Sequence, residues 1–176
     1  MKDDYEFFWT GFYSQWHPVD MTIKLEELYE VLPFLKKWSG KVIKFNTCEQ
    51  WMMFCKAVLF EDMKTAQKIL KADRPKEQKA LGRKVDGFDE SVWIKWCDQI
   101  VFQGNFHKFS QNSDILEIMM AVPKSKAFVE ASPVDKIWGI GRAEDDPLAW
   151  EEKTWNGKNK LGKALDRVRE TLSLKD

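Results

Sequence analysis

The chain has 176 residues, 44% hydrophobic and 32% charged, with 28 basic and 28 acidic side chains and a formal net charge of zero. This is the composition of a globular protein with one real core, and it excludes binding nucleic acid through bulk charge, so any such role must be local. Three cysteines without CxxC spacing and two histidines argue against a zinc site, so no metal is expected and the thiols read as reduced core groups.

Tyr5–Thr10 reads as a short strand that Gly11 ends, followed by an aromatic loop, FYSQWHP, in which Gln15 either lines a pocket or satisfies turn backbone. From Lys24 to Trp38 apolar residues at 25, 28, 31, 32 and 35 predict a helix, split or kinked at Pro33. Val42–Phe45 is a strand leading into the central stretch. Asp62 caps a helix through Ala72, and Pro75 opens another that ends near Gly82. Residues 64–84 hold eight basic and two acidic side chains, which reads as a solvated face, with Arg83 as a candidate phosphate contact. Asp89 caps a helix whose stripe of Val92, Trp93, Trp96, Ile100 and Val101 reads as core. KFSQN (108–112) breaks that pattern before a helix at about 113–121, and Lys126–Ala131 reads as a strand. Residues 142–153, polar and acidic, read as a mobile loop, and the last helix runs to about Leu172, capped by Asn156 or Asn159. No apolar run is long enough to span a membrane and the acidic N-terminus lacks a signal peptide's apolar region, so a cytoplasmic location is expected.

Two stretches carry chemistry. In NTCEQWMMFCK (46–56) an acid, Glu49, and an amine, Lys56, lie seven residues apart in an otherwise apolar run. Seven residues are two helical turns, about 10.5 Å along the axis, so both project from one face. Thr47 with Gln50 three residues later makes a capping box, and Glu49 falls in the first turn, where the helix dipole favours a carboxylate. A helix apolar nearly all round is buried, and charges on it must be paired or functional. The second stretch, SPVDKIWGIG (132–141), sets Asp135 and Trp138 beside Gly139 and Gly141, glycines that allow close approach of a ligand or make a tight structural turn. It lacks the GxGxxG fingerprint, so a dinucleotide fold is not indicated.

In order and spacing, EQWMMFCK, Gly82-Arg83, KFSQN, VEASPVDKIWGIG and WNGKNKLG resemble the NADAR family, also called YbiA-like, from about Phe12 to Leu172. The chain departs from the family pattern at about 19–40, where a longer stretch replaces a short Pro-Phe segment. The resemblance implies a single, predominantly helical α+β domain with a small antiparallel sheet, acting without a cofactor as an N-glycosidase. The substrates it implies are ADP-ribosylated guanine, in nucleic acid, or ribosylamino-pyrimidine intermediates of riboflavin synthesis; the alternative is a module that binds ADP-ribose without hydrolysing it. It places catalysis on Glu49, Lys56 and Asp135, and ligand binding on Trp138, Gly139, Gly141 and Asn159; Asn112, Arg83 and Gln15 are further ligand-binding candidates. Lys56 acting as a nucleophile must be partly neutral, which burial among Trp51, Met52 and Phe54 would favour.

Overall fold

The computed structural model describes residues 1–174. In chain order its elements are β1 (Tyr5–Phe8), β2 (Met21–Lys24), β3 (Val42–Phe45), α1 (Cys48–Leu59), α2 (Met63–Lys71), α3 (Pro75–Gly82), α4 (Glu90–Ser110), α5 (Ser113–Ala121), β4 (Ala127–Glu130) and α6 (Lys160–Ser173). They gather into two compact units, one joining Met1–Ser14 to the chain from Ser113 onward, the other Gln15–Asn112. The mostly helical α+β class holds. In place of one small antiparallel sheet there are two strand pairs, β2–β3 antiparallel and β1–β4 parallel. Among the described residues no helix is long and apolar enough to cross a membrane.

The unit Gln15–Asn112 is built on α1, whose Trp51, Phe54, Cys55, Ala57 and Val58 are fully buried. The Trp51 indole donates to the Ile100 carbonyl at 2.8 Å, so the largest ring of the helix is buried without an orphaned N–H. The start of α1 follows the capping signals: Thr47 Oγ1 accepts from the Gln50 amide at 2.9 Å, and Gln50 Oε1 accepts from the Asn46 amide at 2.9 Å. Its end is a Schellman turn, in which the amides of Glu61 and Asp62 donate to the carbonyls of Val58 and Ala57 at 3.1 and 2.9 Å. Such a turn needs a left-handed residue, and here that residue is Glu61, at φ 62°. Its ion pair with Lys37, 3.3 Å long and exposed on both sides, returns little. Glu61→Gly is therefore expected to stabilise the protein by about 0.5–1 kcal/mol, read as a rise in thermal midpoint of roughly 1–4 °C; a fall would show that the ion pair outweighs the backbone strain.

The helix expected over Lys24–Trp38 is absent. Leu25, Leu28, Leu32 and Leu35 are buried as the periodicity required, but the chain makes two 3-10 turns, Leu25–Leu28 and Pro33–Lys37. Two causes act together. Pro33 lacks an N–H and holds Leu32 outside the helical region, at φ −133°. The Leu25 amide donates to the Lys41 carbonyl at 2.8 Å, which commits the start of the segment to the β2–β3 pair. The stretch 19–40 thus supplies a strand and two turns, and Trp38 packs edge-on against Phe54 of α1 with ring centroids 5.1 Å apart.

In the other unit, residues 142–153 are not a loose loop. Arg142 donates through Nε to the Thr154 carbonyl at 2.7 Å and through Nη1 to Asp146 at 2.8 Å. Asp146 caps the 3-10 turn Pro147–Trp150, and the Trp155 indole donates to the Ala149 carbonyl at 2.8 Å. Ala149 packs with Val129 and Ile140, so an acidic segment is held by one buried apolar residue and a guanidinium.

Candidate functional site

Glu49 sits in the first turn of α1 and is buried. That turn has backbone N–H groups with no partner inside the helix, and the Gln15 carbonyl accepts the Glu49 amide at 3.0 Å. The Gln15 side chain is held in turn: its Oε1 accepts from Asn105 at 2.8 Å, and Asn105 also bonds the Val101 carbonyl at 2.9 Å. The Gln15 side chain is buried beside Met52 and bonds side chains, Asn105 and Met52, rather than turn backbone.

Two turns along, Lys56 is half-buried. Burial lowers the pKa of its amine; the Glu49 carboxylate acts to raise it and the Arg83 guanidinium to lower it further. So α1 and the cap of α3 bring Glu49, Lys56 and Arg83 into one electrostatic group. The surroundings of the amine are not the expected ones. Trp51 and Phe54 turn fully into the core, and Nζ of Lys56 lies 4.2 Å from the Phe88 ring centroid and 5.8 Å from that of Trp93. Trp93, read as core, is only half-buried. No local pattern marks Phe88 or Trp93 as neighbours of Lys56, because they meet it only after α3 folds back along α1. Arg83 is exposed, with a right-handed backbone at the end of α3. Replacing Arg83 by Gln removes a like charge, so Lys56 keeps its proton to higher pH. The ascending limb of a pH–rate profile that requires the neutral amine should move to higher pH; an unmoved limb would detach Arg83 from the site.

Beneath the start of α1 lies a cation that the sequence did not single out. Lys108 is fully buried, and burial lowers its pKa to about 8. It acts on Cys48, whose thiol burial pushes up to about 11 against the pull of that lysine. Asn112 spends its amide nitrogen on the carbonyls of Lys108 and Asp20, at 2.8 and 3.1 Å, which ties the end of α4 to the chain before β2.

The remaining candidates lie in the other unit and form one backbone knot. Asp135 Oδ1 accepts from the amides of Ile137 and Trp138, both at 2.8 Å, and its carbonyl accepts from Gly141 at 3.0 Å. The Asp135 carboxylate thus shapes the turn. Gly141 has φ 67°, where a side chain would be strained. Two amides of this turn are used internally: Ile140 donates to Glu130 and Gly141 to Asp135, each at 3.0 Å. At Gly139 an added Cβ would meet the Glu130 carbonyl at 2.9 Å, so this glycine permits backbone packing. Asn159 precedes α6 in a left-handed conformation, but its side chain does not cap it. Its Oδ1 accepts from the Glu130 amide at 3.0 Å and its Nδ2 donates to the Phe128 carbonyl at 2.9 Å, so it extends β4 as a strand would. Trp138 is the member left with open ring surface, half-buried, with Nζ of Lys160 5.7 Å from its centroid.

Comparison with known proteins agrees with this reading of the motifs. The chain is 39% identical over 158 residues to an N-glycosidase of Acanthamoeba polyphaga mimivirus, spanning 90% of this chain and 85% of that protein. It is 42% identical over 134 residues to the protein irg-1 of Caenorhabditis elegans, spanning 75% of this chain and 63% of that one. The fold matches the NMR structure of the E. coli protein YbiA with a TM-score of 0.70 over 99% of this chain and 88% of that one; at 22% identity this likeness speaks for the fold alone. The NADAR domain matches residues 7–173, nearly the whole chain, and the protein therefore belongs to the NADAR domain family.

Proposed function

We propose that the protein hydrolyses the bond between C1 of a ribose and a nucleobase-type nitrogen, in ADP-ribosylated guanine or in a ribosylamino-pyrimidine. The observation that carries this reading is α1 itself, which holds a buried carboxylate at its positive end and, two turns on, an amine that burial shifts toward its neutral form. The N-glycosidase activity of the mimiviral relative supports it.

Cleavage builds cationic character at C1 and negative charge on the leaving nitrogen. Protonated Glu49 gives its proton to that nitrogen as the C1–N bond breaks. The neutral Lys56 amine supplies an electron pair to C1, forming a C–N bond. This nitrogen passes a proton to the Glu49 carboxylate, which returns it to the ring oxygen as C1–O opens, giving a protonated imine and an ionised Glu49. Water adds at C1, its surplus proton goes to Glu49, the C–N bond to Lys56 breaks, and ribose leaves with the neutral amine and protonated Glu49 restored. Arg83 offers a partner for phosphate.

The test is product release by mass spectrometry from an oligonucleotide bearing ADP-ribosylated guanine and, separately, from a ribosylamino-pyrimidine phosphate, with Glu49→Ala as control. Release of ADP-ribose assigns the nucleic-acid substrate, and release of ribose phosphate the metabolite. Saturable ADP-ribose binding with neither release would replace hydrolysis by a binding role.

A further inference from the structure

Lys56 is the one member of the α1 pair whose chain must be aimed, since four methylene groups separate its amine from the backbone. The geometry around it supplies the aim. Phe88 presents its ring face 4.2 Å from Nζ, with Trp93 5.8 Å away on the first turns of α4. Phe88 stands on a fixed base. Its edge packs on Phe60, at the end of α1, with centroids 5.4 Å apart and planes at 67°. One residue before it, Gly87 takes φ 69°, and just ahead of that the Asp86 amide donates to Asp62 at 3.1 Å. One residue after it, Asp89 caps α4 by accepting from the Val92 amide at 3.1 Å and from Ser91. Both ends of a very short segment are therefore pinned. Phe88 is 45% exposed, so its ring is not sealed into the core.

We propose that Phe88, seconded by Trp93, is a positioning residue that seats the Lys56 amine on its ring face and fixes where Nζ points. The role rests on Lys56 acting as proposed above, and two physical effects follow. A ring face attracts an ammonium more than a neutral amine, so the seat favours the protonated resting form and opposes the effect of burial. It also makes the amine poorly available to small electrophiles until substrate reaches it. The aromatic wall is thus a mask at rest and a guide in turnover.

The test separates these effects from catalysis. Trace acetylation with acetic anhydride at about pH 7.5, read by peptide mass spectrometry, compares Lys56 with the exposed Lys64 in the same sample. The variants are Phe88→Met and Phe88→Leu, which keep an apolar side chain but remove the ring face, and Phe88→Tyr, which restores it. Lys56 labelling is expected to rise about three- to tenfold in the first two and to stay at the wild-type level in the third. Trp93→Leu, whose ring is farther away, should give a smaller rise. In turnover the same two Phe88 variants should lose kcat with KM held, because the ring holds the amine and not the substrate. A more reactive amine in a slower enzyme is an outcome that simple loss of packing does not give. Equal labelling in wild type and Phe88→Met, or an equal rise in Phe88→Tyr, would overturn the proposal. The labelling needs no substrate, so it stands or falls apart from the assigned reaction, which a fully active Lys56→Met protein would refute.

Discussion

Lys56→Met is expected to lower turnover by at least about a thousandfold while leaving the fold intact. Met keeps the length and apolar stem of lysine, so the half-buried side chain still fills its space between Phe88 and Trp93. What it loses is the electron pair proposed to attack C1. Glu49 and Arg83 remain, so general-acid help and electrostatic steering account for the residual rate. The covalent step has its own signature. With substrate and cyanoborohydride the wild-type protein should gain a ribosyl adduct on the peptide containing Lys56, and Lys56→Met should gain none. Full turnover by Lys56→Met would instead mean that water attacks directly, with Glu49 as its base, and that the amine serves only as a charge.

Gly162→Ala is expected to cost about 2–3 kcal/mol, seen as a fall in thermal midpoint of roughly 5–10 °C. The sign is a contest. In a free helix Ala is better than Gly by about 1 kcal/mol, and Gly162 lies in the first turn of α6. Against that gain, an added Cβ would stand 2.1 Å from the Phe128 carbonyl and 2.5 Å from both polar atoms of the Asn159 side chain. These are not flexible ends that can swing away. The carbonyl belongs to β4, and Asn159 is bonded to β4 on both sides. Relief requires α6 to lift from the strand or the two hydrogen bonds to break. A midpoint unchanged within about 2 °C would show that α6 shifts freely, and would weaken the account of Asn159 as an extension of β4.

What could be read from the sequence was whatever a short window decides. Thr47, Asp62 and Asp89 cap their helices as expected, and Pro75 opens α3, because a cap needs only its own next three residues. Burial of the leucines at 25, 28, 32 and 35 was also visible in their spacing, although the backbone that buries them was not. Periodicity reports a face, and a proline together with one bond to Lys41 decided the conformation. The site divides the same way. The spacing of Glu49 and Lys56 placed acid and amine on one helix, and their chemistry could be argued from there. That the amine meets Phe88, that Asp135 spends an oxygen on Ile137 and Trp138, and that Asn159 serves β4 all depend on partners distant in the chain or on turn geometry.

The parallel pairing of Tyr5 with Ala127 and of Phe8 with Glu130 also says something about how the protein is made. β1 leaves the ribosome well before β4 and lacks this partner until the chain as far as Glu130 has followed, whereas Gln15–Asn112 is contiguous and can close on local contacts. The entropy of closing so long a loop falls on β1–β4, which should form after α1 has already packed. Pulse-labelled hydrogen exchange would read this as late protection of the Phe8 and Val129 amides; early protection there would reverse the order. Until that step an aromatic strand waits unpaired, and it is there that a nascent chain of this protein is most exposed to wrong partners.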